Sequence, residues 1–293
     1  MFTNPYQNLP SSGRWIKAAF HTHAGTGPGT CGKTPIADVV AAYRALGYGA
    51  LCISNHDLFT DTSALTDEKL LMVPGVEYSA DPHILTIGVE RSLHALPHQE
   101  AVLETNRLGG FAILCHPNWI RREYWTLEQM ETLHGYAGIE VANMSVCTSN
   151  DAGSDMALDA WDYLLRRGKR VYGFACDDLH SLPDANRGFT MLYVVEPGFA
   201  GIRDAVARGA FVASTGLGLE SLVVENGVLR VRARYLNANH VRDFTYRFVT
   251  ENGLVKTHFG ETAEFPLNNE KYVRVEAIGE NGAMLFTQPV FHE

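Results

Sequence analysis

The chain lacks any stretch of about 18 uninterrupted apolar residues, the length a helix needs to cross a bilayer. Its first residues, MFTNPYQNLPSSGRW, lack the basic start and apolar run of a secretion signal. A cytoplasmic protein with no membrane partner is expected. Positive charge is in deficit as well: 24 Lys and Arg stand against 33 Asp and Glu, a formal net charge of −9. A nucleic-acid backbone wants a basic face that displaces counterions, so nucleic acid is not expected as a partner. Cysteine is sparse: Cys31, Cys52, Cys115, Cys147 and Cys176 are odd in number and without zinc-ribbon spacing. Cys52, Cys115 and Cys176 sit inside apolar runs and read as reduced core thiols. Cys31, in a Gly-rich loop, is the exception.

The 293 residues, 46% of them hydrophobic and 19% charged, suffice for one large domain, or one domain with a small appendage. The first two thirds alternate short apolar runs with helical patterns, the signature of a parallel sheet covered by helices. One helix is expected from Thr34 as N-cap to Gly47, a second from a Thr126/Gln129 capping box, and a third from Ser154 to Gly168. Between them lie eight apolar runs: RWIKAAF, ALCIS, LLMVPGV, ILTIGV, FAILC, GIEVA, VYGFAC and MLYVV. After about Gly216 the pattern turns to polar/apolar alternation, with Glu-Asn-Gly at Glu225–Gly227, Glu251–Gly253 and Glu280–Gly282. Asn-Gly is a strong hairpin signal, so residues 217–293 read as a small antiparallel β domain of about six strands behind a β/α domain of residues 1–216.

In β/α folds chemistry collects where strands end, and here the strand ends are rich in one kind of side chain. His21 and His23 follow the first run, His56 the second and Glu77 the third; His83 opens the fourth, His116 follows the fifth, and Asp178 and His180 follow the seventh. A His-x-His pair on an extended segment turns both rings to one side, the spacing that lets two imidazoles bind one ion. Imidazole with carboxylate, without clustered thiolates, suits Zn²⁺, Mn²⁺ or Fe²⁺. There are more candidate ligands than one ion needs.

These residues resemble the polymerase-and-histidinol-phosphatase (PHP) domain family over roughly residues 15 to 215. The opening His21/His23 pair, Ser54-Asn55-His56, Pro74-Gly75-Val76-Glu77, His83-Ile84-Leu85, His116-Pro117 and Asp178-Leu179-His180 follow the family's motifs in order. The later stretch Arg208–Gly216 and the closing β segment resemble a branch of the family with a C-terminal module. The resemblance implies a distorted seven-stranded (β/α) barrel and a metal-dependent phosphoesterase. It assigns His21, His23, Glu77 and Asp178 to one ion and Glu77, His83 and His116 to its neighbour, with Glu77 bridging. His56 and His180 belong to a third position, for which the family's next ligand is replaced by Cys31 in Thr30-Cys31-Gly32. Two divalent ions are therefore expected, and a third if Cys31 serves as a thiolate ligand; a structural Cys31 is the alternative. Asn55 stands where the family has Asp.

Two neighbouring ions turn a bridging water into a hydroxide poised to attack, and they neutralise charge on phosphate oxygens. The expected reaction is hydrolysis of a small phosphate ester, with His180 or His56 protonating the leaving oxygen and Arg187 or Lys33 offering positive charge. Hydrolysis of a carboxylic or carbamic ester or amide by the same centre is the alternative, and a non-catalytic metal-binding module the third reading. Homo-oligomerisation stays open. The Gly25–Gly29 segment lacks nucleotide-loop spacing and reads as a flexible loop over the site. Asn118 and Asn143 read as candidate contacts to substrate or ligands, and Glu140 as facing the interior or a helix. His94, His98, His134, His240, His258 and His292 read as surface.

Overall fold

The computed structural model describes residues 2–120, 124–147, 152–237 and 242–293; His240 lies outside them. All eight apolar runs form strands: Arg14–Ala19, Tyr48–Cys52, Leu71–Val73 with Gly75–Tyr78, Ile84–Ile87, Phe111–Leu114, Gly138–Asn143, Tyr172–Cys176 and Phe189–Val194. The third run is cut in two at Pro74, which has no N–H to give to a ladder.

The strands are not all parallel. Arg14–Ala19, Tyr48–Cys52 and Leu71–Val73 run parallel, but Phe189–Val194 and Phe211–Ser214 extend that sheet antiparallel. A second, five-stranded sheet runs Gly75–Tyr78, Ile84–Ile87, Phe111–Leu114, Gly138–Asn143 and Tyr172–Cys176, antiparallel at its first two junctions and parallel at the rest. Short strands buried on both faces carry no alternation from which direction could be read.

The expected seven-stranded barrel does not close. The two sheets stay open, because backbone pairing stops at two places. One is the Pro74 break. The other is the edge at Tyr172–Cys176, where side chains stand in for a strand: the Gln288 amide accepts from Gly173 N at 2.9 Å and donates to Gly173 O at 2.8 Å. Beside it the Thr190 hydroxyl accepts from Ala175 N and donates to Ala175 O, at 3.3 and 3.2 Å.

Of the expected helices, the Thr126/Gln129 capping box is present and opens Leu127–Thr132. The first helix is Ile36–Ala45, with Pro35 rather than Thr34 in the cap position. The third is Leu158–Arg166, four residues later than Ser154, whose hydroxyl accepts from Met156 N instead. Two helices, His98–Arg107 and Gly198–Arg208, were not expected; each buries a narrow side, Ala101, Val102 and Thr105 in the first and Gly201, Ile202, Ala205 and Val206 in the second. Trp161 is fully buried, its indole N–H donating to Val171 O. Over its ring lies the Arg274 guanidinium, paired with Asp162 and Glu276 at 2.7 Å each, which ties the C-terminal strands to this helix.

After Gly216 eight strands follow among the described residues, rather than about six. All three Asn-Gly pairs are hairpin turns, joining Leu217–Glu225 to Val228–Tyr235, Phe244–Thr250 to Gly253–Gly260, and Tyr272–Ile278 to Met284–Thr287. Asn226 and Gly227 both take positive φ, 51° and 75°, as a two-residue turn with the twist of the flanking strands requires. Met284–Thr287 pairs with Phe211–Ser214, so one ladder runs from the β/α part into the C-terminal part. No helix among the described residues is long and apolar enough to cross a membrane.

Candidate metal centre

Thr22 is held between two neighbouring segments: it bridges Leu179 on one side, where His23 N donates to Leu179 O, and Ser54 on the other, whose N–H donates to Thr22 O. His21 and His23 flank it in an extended segment and point to the same side. Asn55 clamps the next residue, its amide donating to Ala24 O at 2.9 Å and accepting from Ala24 N at 3.1 Å. An aspartate could not make the first of these bonds.

Glu77 is fully buried at the centre. Its Oε2 lies 3.2 Å from Nε2 of both His21 and His23 and 3.0 Å from His56 Nδ1. Its Oε1 lies 2.8 Å from His83 Nδ1 and 3.4 Å from His116 Nε2. Asp178 Oδ1 is 3.2 Å from the same two Nε2 atoms. Yet His21 Nε2, His23 Nε2, His56 Nδ1, Glu77 Oε2 and Asp178 Oδ1 are all buried and have no hydrogen-bond partner. Buried polar atoms left unpaired about 3 Å apart are costly, unless their lone pairs converge on a shared cation. That donor set, imidazole nitrogens with carboxylate oxygens, fits a divalent transition ion. Ligand atoms within 4.8 Å of one another group as His21, His23 and Asp178; as His56, Glu77 and His83; and as His23, Cys31, His56 and His180.

The electrostatics favour positive charge. Burial alone would strip protons from His21 and His23, but the surrounding Asp178, Glu77 and Glu140 for His21, and Asp178, Cys31 and Glu77 for His23, raise both well above the usual imidazole range. Against its own burial, Glu77 is held well below the carboxylate range by His21, His116 and His23. A field that retains protons in this way also attracts a metal ion. Two ligands sit in left-handed backbone, His116 at φ 29° and Asp178 at φ 50°. Such conformations cost roughly 1–3 kcal/mol for a non-glycine and persist where surrounding structure enforces them, most often at functional sites.

The expected metal ligands are brought together, whereas Arg187, Lys33 and Asn118 are engaged elsewhere or exposed. Arg187 points away, its guanidinium on Asp184 Oδ1 at 3.0 Å, while its backbone N–H donates to Asp177. Lys33 is exposed, though its N–H donates to His180 O. Asn118 donates to Met156 O and Asp159, a structural role. His180 Nδ1 donates to Asp178 O at 3.0 Å.

Sequence reasoning underrated Glu140 and Asn143 and missed Tyr124. Glu140 accepts from His21 Nδ1 and from His116 N, both at 2.7 Å, and from the Cys176 thiol and Asn143. Asn143 also donates to Asp178 Oδ2. The Tyr124 hydroxyl hydrogen-bonds His116 Nδ1 at 2.8 Å. The Glu140 carboxylate can only accept, so it fixes the His21 proton on Nδ1 and leaves Nε2 free for an ion, while Tyr124 holds the His116 ring in place. A carboxylate inside the apolar run Gly138–Asn143 was itself a signal, since a buried charge needs partners.

No protein-family model matches the chain, and no curated protein does. Among solved structures it is similar to a two-domain protein containing a predicted PHP-like metal-dependent phosphoesterase from Bacteroides vulgatus ATCC 8482, with TM-score 0.55 and 15% identity over 97% of this chain and 90% of that one. The chain has a PHP-like fold. A second solved structure is Endonuclease Q in complex with a 27-mer duplex substrate carrying an abasic lesion at the active site, with TM-score 0.44 and 15% identity over 66% of this chain and 57% of that one. The expectation that nucleic acid is not a partner is corrected against this complex, which holds duplex DNA as substrate. The likeness is too slight to carry DNA binding over to this chain.

Proposed function

We propose that the protein is a metal-dependent phosphoesterase, its ions held by His21, His23, Glu77 and Asp178 on one side and by Glu77, His83 and His116 on the other. The observation that carries this reading is the convergence of buried, unpaired ligand atoms around Glu77. Divalent ions in such a set lower the pKa of water and neutralise charge on phosphate oxygens; Zn²⁺, Mn²⁺ and Fe²⁺ suit the donors.

The residues themselves do three things. Glu77 offers one oxygen to each half of the set, which keeps the two halves in register. Glu140 and Tyr124 orient His21 and His116, so the ligand nitrogens need no rearrangement on binding. His56 and His180 stand on the solvent side beside Cys31, each about one third exposed, and a proton for the leaving oxygen has to come from there or from water. Among the described residues no member of the ligand groups comes from 217–293, so we assign that segment a supporting role.

The test is a panel of nitrophenyl phosphates, nucleotides and nitrophenyl carboxylic esters, with the protein reconstituted in Mn²⁺ or Zn²⁺. Turnover of phosphate esters is expected. Turnover of carboxylic esters with none of the phosphates overturns the proposal.

A further inference from the structure

The Gly-rich loop does not hang free. Gly25 N donates to Thr34 O at 2.8 Å, Lys33 N donates to His180 O at 2.8 Å, and the Thr30 hydroxyl donates to Gly25 O and Gly27 O. Gly32 packs so tightly that a Cβ there would sit 2.7 Å from Ala24 Cα. These ties fold the loop back on the strand it leaves and bring Cys31 to the centre. Its sulfur lies 3.2 Å from His23 Nδ1, and the sulfur and a ring nitrogen of each of His23, His56 and His180 all lie within 4.8 Å of one another. Four side chains from three strand ends and one tied loop thus converge on one point.

We propose that Cys31, His56 and His180 form a separate, thiophilic metal position, with Cys31 as a thiolate ligand and His23 Nδ1–H donating to its sulfur. His23 then spans two positions, Nε2 in the set around Glu77 and Nδ1 against the thiolate. With His56 and His180 serving as ligands, the proton for the leaving oxygen comes from water, the other source named above. A thiolate makes the position selective: it favours Zn²⁺ or Co²⁺ over Mn²⁺ and Mg²⁺, whereas the sets around Glu77 hold only nitrogen and oxygen. Three protein ligands leave a coordination place open to solvent, as in catalytic rather than structural zinc sites. The competing thiol, Cys115, is fully buried beside His21, His116 and Glu140, where the hydrogen bonds are already satisfied.

The inference rests on the metal-centre reading above, and the test separates the two. Metal-free full-length protein is titrated with Co²⁺ and followed by its visible ligand-field bands and its near-ultraviolet sulfur-to-cobalt charge-transfer band. The charge-transfer band is expected in the wild type, and Cys31→Ser should abolish it while keeping the ligand-field bands of the remaining ions, which also shows that the variant is folded. Cys31→Asp should lower the preference for Zn²⁺ over Mn²⁺ at this position by at least about tenfold. Cobalt binding without a charge-transfer band, or a band that survives Cys31→Ser, overturns the thiolate site and leaves the centre around Glu77 standing. Failure to bind any ion overturns both.

Discussion

Replacing Glu140 with glutamine tests whether a residue that touches no substrate governs the metal centre. The carboxylate accepts from His21 Nδ1 and the Cys176 thiol on one oxygen, and from His116 N and Asn143 Nδ2 on the other. A carboxamide has one accepting end. The His116 N–H is a backbone donor that cannot turn, so the amide oxygen must face it and the NH₂ must face His21 Nδ1. The His21 proton then moves to Nε2, the atom aimed at Glu77 and Asp178, and His21 is lost as a ligand. Changes to the groups behind metal-binding histidines typically cost 10–100-fold in affinity, about 1.4–2.7 kcal/mol. Loss of buried hydrogen bonds to a charged group should also take roughly 1.5–3 kcal/mol from the stability of the metal-free protein. Zinc affinity measured by competition with a chelator, beside urea unfolding of the metal-free form, separates the two effects. Wild-type zinc affinity in a folded Glu140→Gln protein would refute the argument.

Four further outcomes are expected. Glu77→Gln should abolish phosphoesterase activity and reduce bound metal, checked by elemental analysis; an active variant contradicts its shared position. Chelation should lower the unfolding midpoint, because an ion at 100 times its dissociation constant stabilises the fold by about 2.7 kcal/mol. Metal affinity should fall as pH drops, beginning above neutral: protons compete for His21 and His23, whose surroundings raise their proton affinity well above that of a free imidazole, so calorimetry at pH 8 and pH 6 should show tighter binding at the higher value. Asn55→Asp should cost about 1–3 kcal/mol in thermal or urea unfolding, since Ala24 O loses its donor and meets a carboxylate, whereas Arg187→Ala should cost less than about 1 kcal/mol.

The ligands were legible because they follow apolar runs, and the runs were legible because buried strands are short and uniformly hydrophobic. His21, His23, His56, His116 and Asp178 each announce themselves by breaking such a run at its end. Glu140 did not, because it lies inside one, and Tyr124 did not, because a buried aromatic looks like core. The helix His98–Arg107 was hidden by its polar surface, with only Ala101, Val102 and Thr105 buried. Strand direction was hidden for the opposite reason: Ile84–Ile87 and Phe111–Leu114 are buried throughout, and nothing in such a run says which way it points.

The open seams acquire another meaning once the ligands are assigned to sheets. His21, His23 and His56 come from the sheet of Arg14–Ala19 and Tyr48–Cys52, whereas Glu77, His83, His116, Asp178 and His180 come from the five-stranded sheet or its ends. Along the Tyr172–Cys176 edge the two are joined by one amide and one hydroxyl rather than by a backbone ladder, and beyond that edge by the isolated Thr22–Leu179 bridge. An ion held by His21, His23, Glu77 and Asp178 is therefore a rivet between two half-shells. Its loading would set how far they can shear, and amide exchange across Gly173 and Ala175 would register whether the rivet is in place.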